Sequence, residues 1–258
     1  MRLIHYGDSF AVGNAVPSYI PGLESGAYIH KQLLSRKIEI KHDVKIKQVT
    51  NCGKIIANRL NLAYEMMAEN GASNEKIMRE LLGTDLTNSF VLIGITSGNR
   101  REALTTSRTW LGKNSHWQTW KMVGPKEPKK FKNLAFDPWG NDHTVALETD
   151  AQCRTIIQIL YMQNFLKANK VPYLMFNALY NGFDTPLNRE AKDLLMKVDT
   201  RFFMDLTGGA RHSQHGWCLA NKDYVVSDLD EHPNIKGQKA WAEKLLPLVT
   251  DIIQDGLK

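Results

Sequence analysis

Three groups of residues in this chain have types and spacings that could do chemistry. Near the start, the apolar run Leu3-Ile4-His5-Tyr6 ends in Gly7-Asp8-Ser9, which would stand a serine hydroxyl at the carboxyl end of a parallel strand. Near the other end, Asp228-Leu229-Asp230-Glu231-His232-Pro233-Asn234 runs into a helix and flanks one imidazole with carboxylates. A nucleophile, a base to take its proton and an acid to orient that base are the parts of a split Ser/His/Asp hydrolase site. The plainer alternatives are that Ser9 only caps the next helix and that His232 only sits at a helix start. The third group, His212-Ser213-Gln214-His215-Gly216-Trp217-Cys218, offers imidazole and thiol ligands. Its spacing matches no zinc template, so these histidines are read as lining or rimming a crevice and no metal is expected.

The elements that must position these residues follow from periodicity. Leu3–Tyr6, Val44–Val49, Ser89–Ile95, Pro172–Phe176 and Arg201–Leu206 read as five short strands. Helical spacing occupies Ser25–Arg36, Gly53–Asn70, Glu148–Asn169, Thr185–Val198 and about Asn234–Asp255. Strands alternating with helices predict an α/β fold, a parallel sheet covered on both faces, and the unbroken apolar run Ser89–Ile95 suits a doubly covered strand. No repeat or linker divides residues 1–258, so one domain is expected.

Read together and in this order, the two terminal motifs resemble the SGNH (GDSL) hydrolase family, and the short Asp-x-His spacing resembles its phage-type members. The resemblance implies a three-layer α/β/α domain with a five-stranded, flavodoxin-like sheet. It implies Ser9 as nucleophile, His232 as general base and Asp230 as the orienting acid, with Asp228 in reserve because Leu229 stands where the family's usual acid falls. It also implies an oxyanion hole from the backbone N–H groups of Ser9 and Gly53, the latter in Asn51-Cys52-Gly53-Lys54. A side-chain amide should complete the hole, but the family's Gly-x-Asn-Asp reads here Gly94-Ile95-Thr96-Ser97-Gly98-Asn99. The third donor is therefore either Asn99 or Thr96, Asn99 being preferred. Arg100 and Arg101 follow, to hold an anionic substrate group or to face solvent.

Composition narrows the class. The chain has 258 residues, 43% hydrophobic and 23% charged, as in ordinary water-soluble domains. No apolar run approaches a membrane span and no signal peptide is visible. Three widely spaced cysteines, Cys52, Cys153 and Cys218, fit free thiols in a reducing cytoplasm. Net charge is +6, and residues 105–135 hold seven basic residues against one acid, which is the whole excess. Residues 100–147 show no convincing period and contain four of the six tryptophans, Trp110, Trp117, Trp120 and Trp139. Such an insertion reads as a lid or substrate-binding flap, with Arg100, Trp110 and Trp117 as candidate substrate contacts. The alternative is a small packed satellite.

The expected activity is therefore ester hydrolysis through an acyl-enzyme, without cofactor, on a small-molecule or carbohydrate ester, acylated or anionic. The rival is a weak or inactive scaffold of the same fold that binds nucleic acid or a protein through residues 105–135. Oligomeric state, acyl group and pathway are not encoded in any motif.

Overall fold

In the computed structural model, residues 1–12, 51–69, 71–105, 116–121, 144–227 and 230–256 are described. The chain runs β1 (Arg2–Tyr6), α1 (Ser9–Val12), α2 (Cys52–Arg59), β2 (Ala63–Met66), α3 (Asn74–Gly83) and β3 (Ser89–Ile95). An antiparallel ribbon follows, β4 (Arg100–Thr105) with β5 (His116–Lys121), then α4 (Thr144–Ala168), β6 (Tyr173–Asn177), α5 (Arg189–Leu195) and β7 (Phe203–Met204). The last stretch is α6 (Gln214–Leu219), the small antiparallel pair β8 (Val225–Ser227) and β9 (Asp230–Pro233), and α7 (Ile235–Asp255).

Five strands form one parallel sheet in the order β2-β1-β3-β6-β7. This is the flavodoxin-like order, and the fold is α/β with three layers. Alternate side chains of the central strands feed two separate cores, as the period of two requires. Ile4, Tyr6, Val91, Ile93, Ile95, Tyr173 and Met175 pack with Ile77 and Leu81 of α3 and Ile156, Ile159, Met162 and Leu166 of α4. Leu3, Phe90, Leu92, Leu174 and Phe176 pack on the other face with Cys52, Ile56 and Ala57 of α2 and Trp241, Leu245 and Val249 of α7. Every residue of β3 is buried, which is why its sequence is an unbroken apolar run.

The order in which strands are added reverses between β1 and β3, because β2 lies to one side of β1 and the later strands of this sheet, β3, β6 and β7, to the other. In such sheets the loops leaving the strands at this switch form the ligand crevice. Gly7-Asp8-Ser9 leaves β1 there, and Thr96–Asn99 leaves β3.

Several elements differ from the sequence expectation. Gly53–Asn70 is not one helix: α2 stops at Arg59, Asn61 turns the chain in the left-handed region (φ 53°), and Ala63–Met66 pairs with β1 as an edge strand. Leu60, Leu62 and Tyr64 pack against the α2–α7 core at a period of two, which the helical reading absorbed. Among the described residues the second strand is thus 63–66, and Gly53 lies in the first turn of the helix before it. The expected strand Val44–Val49 and helix Ser25–Arg36 lie outside the described residues. The fifth strand shortens to Phe203–Met204, preceded by a 3₁₀ turn (Thr200–Phe202) and ended by Asp205 at φ 50°. Thr185–Val198 contracts to α5, which starts only where Asn188 caps it by accepting from the Ala191 N–H. Within 100–147, β4 and β5 form a ribbon that pairs Arg101 with Trp120 and Leu104 with Trp117. Arg-Arg-Glu-Ala-Leu-Thr has no apolar alternation, so periodicity was silent there. Among the described residues no helix is long and apolar enough to cross a membrane.

Candidate active site

The site begins with a tight turn at a glycine. A Cβ on Gly7 would stand 2.5 Å from the Ala11 Cβ, so a larger residue would push α1 away from the end of β1. Asp8 then opens α1: its Oδ1 accepts from the Phe10 N–H at 3.0 Å, the usual work of a helix cap. The side chain is fully buried, and its Oδ2 accepts from Thr96 Oγ1 at 2.8 Å and Arg100 Nη1 at 2.7 Å. This fixes the turn on which Ser9 sits, 8% exposed.

His232 arrives from the other end of the chain. Asn234 caps α7 by accepting from the Gly237 N–H at 3.0 Å, while its Nδ2 donates to the carbonyls of Asp223 and Val225, each at 2.8 Å. One side chain therefore joins α7 to the β8–β9 pair that carries His232. The result is a distance of 2.9 Å between His232 Nε2 and Ser9 Oγ, across 223 positions of sequence. The imidazole stacks on Phe10, ring centroids 4.9 Å apart at 27°. With the ring proton on Nδ1, Nε2 is the acceptor for the serine hydroxyl.

Gly53 lies in the first turn of α2, where N–H groups have no helical partner. Asn51 accepts from the Lys54 N–H at 2.9 Å through its side chain and from the Ile55 N–H at 3.0 Å through its carbonyl. Cys52 N–H donates to Gln238 Oε1 at 3.0 Å. The Gly53 N–H points to the Cys52 thiol, a weak acceptor. A Cβ at Gly53 would run into the ring of His5, so the glycine also permits close packing of α2 on β1.

Of the two candidates for a third donor, Thr96 has its hydroxyl proton committed to Asp8, and its hydroxyl oxygen accepts from Arg100 Nη1 at 2.9 Å. Its backbone is held by Asn74, which accepts from Thr96 N–H at 2.9 Å and donates to Thr96 O at 3.0 Å. Asn99 is exposed on the turn before β4. Arg100, expected at a substrate anion or in solvent, instead donates to Asp8, Thr96 and the Ala72 carbonyl. Asp230 lies on β9, two residues before His232 and paired with Ser227. The Asp230 side chain, Asp228, Trp110 and the Trp117 side chain lie outside the described residues.

The His-x-x-His-x-x-Cys group does not converge. His212 Nδ1 faces Asp205 at 3.3 Å and His215 Nε2 faces Glu231 at 2.9 Å. Cys218 is buried, and that burial pushes its thiol up to about 12. Among the described residues no three His, Cys, Asp or Glu gather to hold a metal ion. His215 does belong to the site's border, its ring edge-on to Phe10 at 5.3 Å.

Sequence reasoning missed Gln238 and His5. Gln238, fully buried, accepts from Cys52 N–H and donates to Phe10 O at 2.9 Å, so α7 holds both the Ser9 turn and the start of α2. A glutamine in the apolar stripe that continues to Trp241, Ala242 and Leu245 was the available signal. His5 packs its fully buried ring behind Gly53.

No protein-family model and no curated protein matches the sequence. Solved structures do match. A carbohydrate esterase matches over 97% of this chain at 14% identity and a TM-score of 0.44; the chain spans 65% of that esterase. A lipase from a goat rumen metagenome matches over 96% of this chain and 97% of its own at 16% identity and a TM-score of 0.45. The structural neighbours also include a lipolytic protein of the G-D-S-L family from Desulfitobacterium hafniense, similar over 96% of this chain and 98% of its own at 10% identity and a TM-score of 0.43.

Proposed function

We propose that this protein is a serine hydrolase of the SGNH type that cleaves an ester bond through an acyl-enzyme. The observation that carries the reading is the 2.9 Å approach of His232 Nε2 to Ser9 Oγ, made by the two ends of the chain at the switch point of the sheet. A serine that only capped a helix would have no need of an imidazole brought from 223 residues away.

In the proposed reaction, His232 takes the Ser9 proton as Oγ attacks the ester carbonyl carbon. The carbonyl oxygen becomes an oxyanion held by the N–H groups of Ser9 and Gly53 and by the side-chain amide of Asn99. The place of Gly53 supports this, because it lies in the first turn of α2, where N–H groups have no helical acceptor. His232 then protonates the departing alkoxide, leaving the acyl group on Ser9. A water, deprotonated by the same imidazole, releases the acid. Asp230 orients His232 from β9, with Asp228 the alternative. Stacking on Phe10 keeps the imidazole plane fixed through both steps.

The substrate class is a small or carbohydrate ester, acylated or anionic, met by the basic, tryptophan-rich segment 100–147 acting as a flap. A reducing compartment such as the cytoplasm suits the three free cysteines.

The test is a fluorophosphonate probe together with turnover of a neutral aryl acetate. The wild type should be labelled at Ser9 and hydrolyse the ester, and Ser9→Ala should do neither. Labelling that persists in Ser9→Ala, or none in folded wild type, would overturn the reading.

A further inference from the structure

Asp8 poses a problem beside a nucleophile that must generate an oxyanion. It is a carboxylate with no exposed surface, one residue from Ser9, on the turn whose N–H groups face the developing charge. A negative charge there opposes the very charge that the oxyanion hole must stabilise, and its burial weakens the screening that solvent would give. The structure answers with Arg100. Its Nη1 lies 2.7 Å from Asp8 Oδ2 and 2.9 Å from Thr96 Oγ1, and the arginine side chain is itself only 21% exposed.

We propose that Arg100 is a positioning residue for the reaction at Ser9: its guanidinium neutralises the buried Asp8 carboxylate and fastens the base of the β4–β5 ribbon to the nucleophile turn. The inference rests on Ser9 being the nucleophile. It assigns to Arg100 a role other than binding a substrate anion.

The connections run in one chain. Arg100 is the first residue of β4, and its own N–H donates to the Ser97 carbonyl at 3.1 Å, closing the turn out of β3. Its guanidinium reaches across to the turn out of β1 through Asp8, and to the segment before α3 through the Ala72 carbonyl at 3.3 Å. Thr96 sits between as donor to Asp8 and acceptor from Arg100. Asp8 Oδ1 meanwhile holds Phe10, the residue whose ring supports His232. Neutralising or releasing Asp8 therefore bears on the Ser9 backbone, the His232 ring and the ribbon's root at once. A buried ion pair contributes little net stability, but removing one partner strands the other charge, and that asymmetry supplies the test.

The experiment is a charge cycle read by kinetics on a neutral aryl acetate and on an aryl ester bearing a carboxylate. Arg100→Met should lower kcat on both esters by about a hundredfold while KM stays within about twofold, because the lost effect lies in the transition state. Asp8→Asn/Arg100→Met should regain at least about tenfold of that loss, since no stranded carboxylate remains. If the single variant does not fold, the double variant alone decides: folded and active supports the inference, unfolded or as inactive as Ser9→Ala overturns it. A raised KM for the anionic ester alone, with neutral-ester kcat unchanged, overturns it in favour of substrate binding. Wild-type kinetics in Arg100→Met also overturn it. Fluorophosphonate labelling of the wild type separates the two levels: without it the serine-hydrolase reading falls, and with it only the role of Arg100 is at stake.

Discussion

The ring of His5 carries a consequence that can be read in solution. It is fully buried behind Gly53, and burial pushes its pKa down to about 4 from the ordinary 6.5, only partly offset by a hydrogen bond that the ring donates to the Asn51 side chain. Folded protein thus keeps His5 neutral where the unfolded chain would already bind a proton. Stability is unaffected by His5 above pH 6.5, falls as pH drops from 6.5, and stops falling below about 4, where both states are protonated. The full loss is about 3 kcal/mol. Denaturant unfolding across that range should show a steeper decline for wild type than for His5→Gln, and parallel curves would refute the assignment. Nothing in the sequence distinguished His5 from any polar residue in a strand, since its burial depends on α2 and α7 closing over β1. Ser9 and His232 were legible for the opposite reason. Gly-Asp-Ser after a strand and His-Pro-Asn before a helix are local signatures, written at the two residues whose side chains meet. Arg100 fell between: its type was noticed, but its partner Asp8 is 92 positions away.

At the level of elements, the strongest departures came where a short segment depends on its neighbours. Residues 60–66 look helical as an extension of α2, and only the open edge of β1 makes Ala63–Met66 a strand. The central strand β3 needed no such context, because burial on both faces writes itself into seven consecutive residues. Helix α7 was also found from its pattern, yet its working residue was not, since Gln238 looks like a polar interruption in an apolar face. Its amide joins three elements: the Phe10 carbonyl after Ser9, the Cys52 N–H at the head of α2, and α7 itself. Gln238→Met keeps the volume and strands both backbone groups in the interior. The expected cost is about 2–4 kcal/mol in denaturant unfolding. Ester kcat should fall with it while KM changes little, because both the Ser9 turn and the Gly53 N–H lose their common support. A variant of wild-type stability and activity would mean that α1 and α2 are held by their caps alone.

For the molecule as a whole, charge and chemistry are assigned to different parts of the chain. Ser9 sits on the turn after β1 of the parallel sheet, Gly53 at the head of α2 packed against it, and His232 on β9 of the small β8–β9 pair before α7. The net charge of +6 comes from residues 105–135, in a segment that begins with the ribbon strapped to Asp8 through Arg100. Strand–helix alternation revealed the sheet because it repeats along the chain, whereas the ribbon has no such repeat and its role must be inferred from charge and attachment. Seven basic residues against one acid create a local positive field, which steers anionic ligands and weakens as salt shortens the screening length. Replacing Lys126, Lys129, Lys130 and Lys132 with glutamine should therefore leave kcat/KM for a neutral aryl acetate within about twofold, since none of them belongs to the proposed triad. For an anionic ester, the same change should raise KM and flatten its dependence on salt. If both esters are turned over as by wild type at every ionic strength, the cluster is only a solvated face. If the neutral ester is lost while the protein stays folded, the segment is part of the catalytic framework, and the division between a charged flap and a sheet-borne site does not hold.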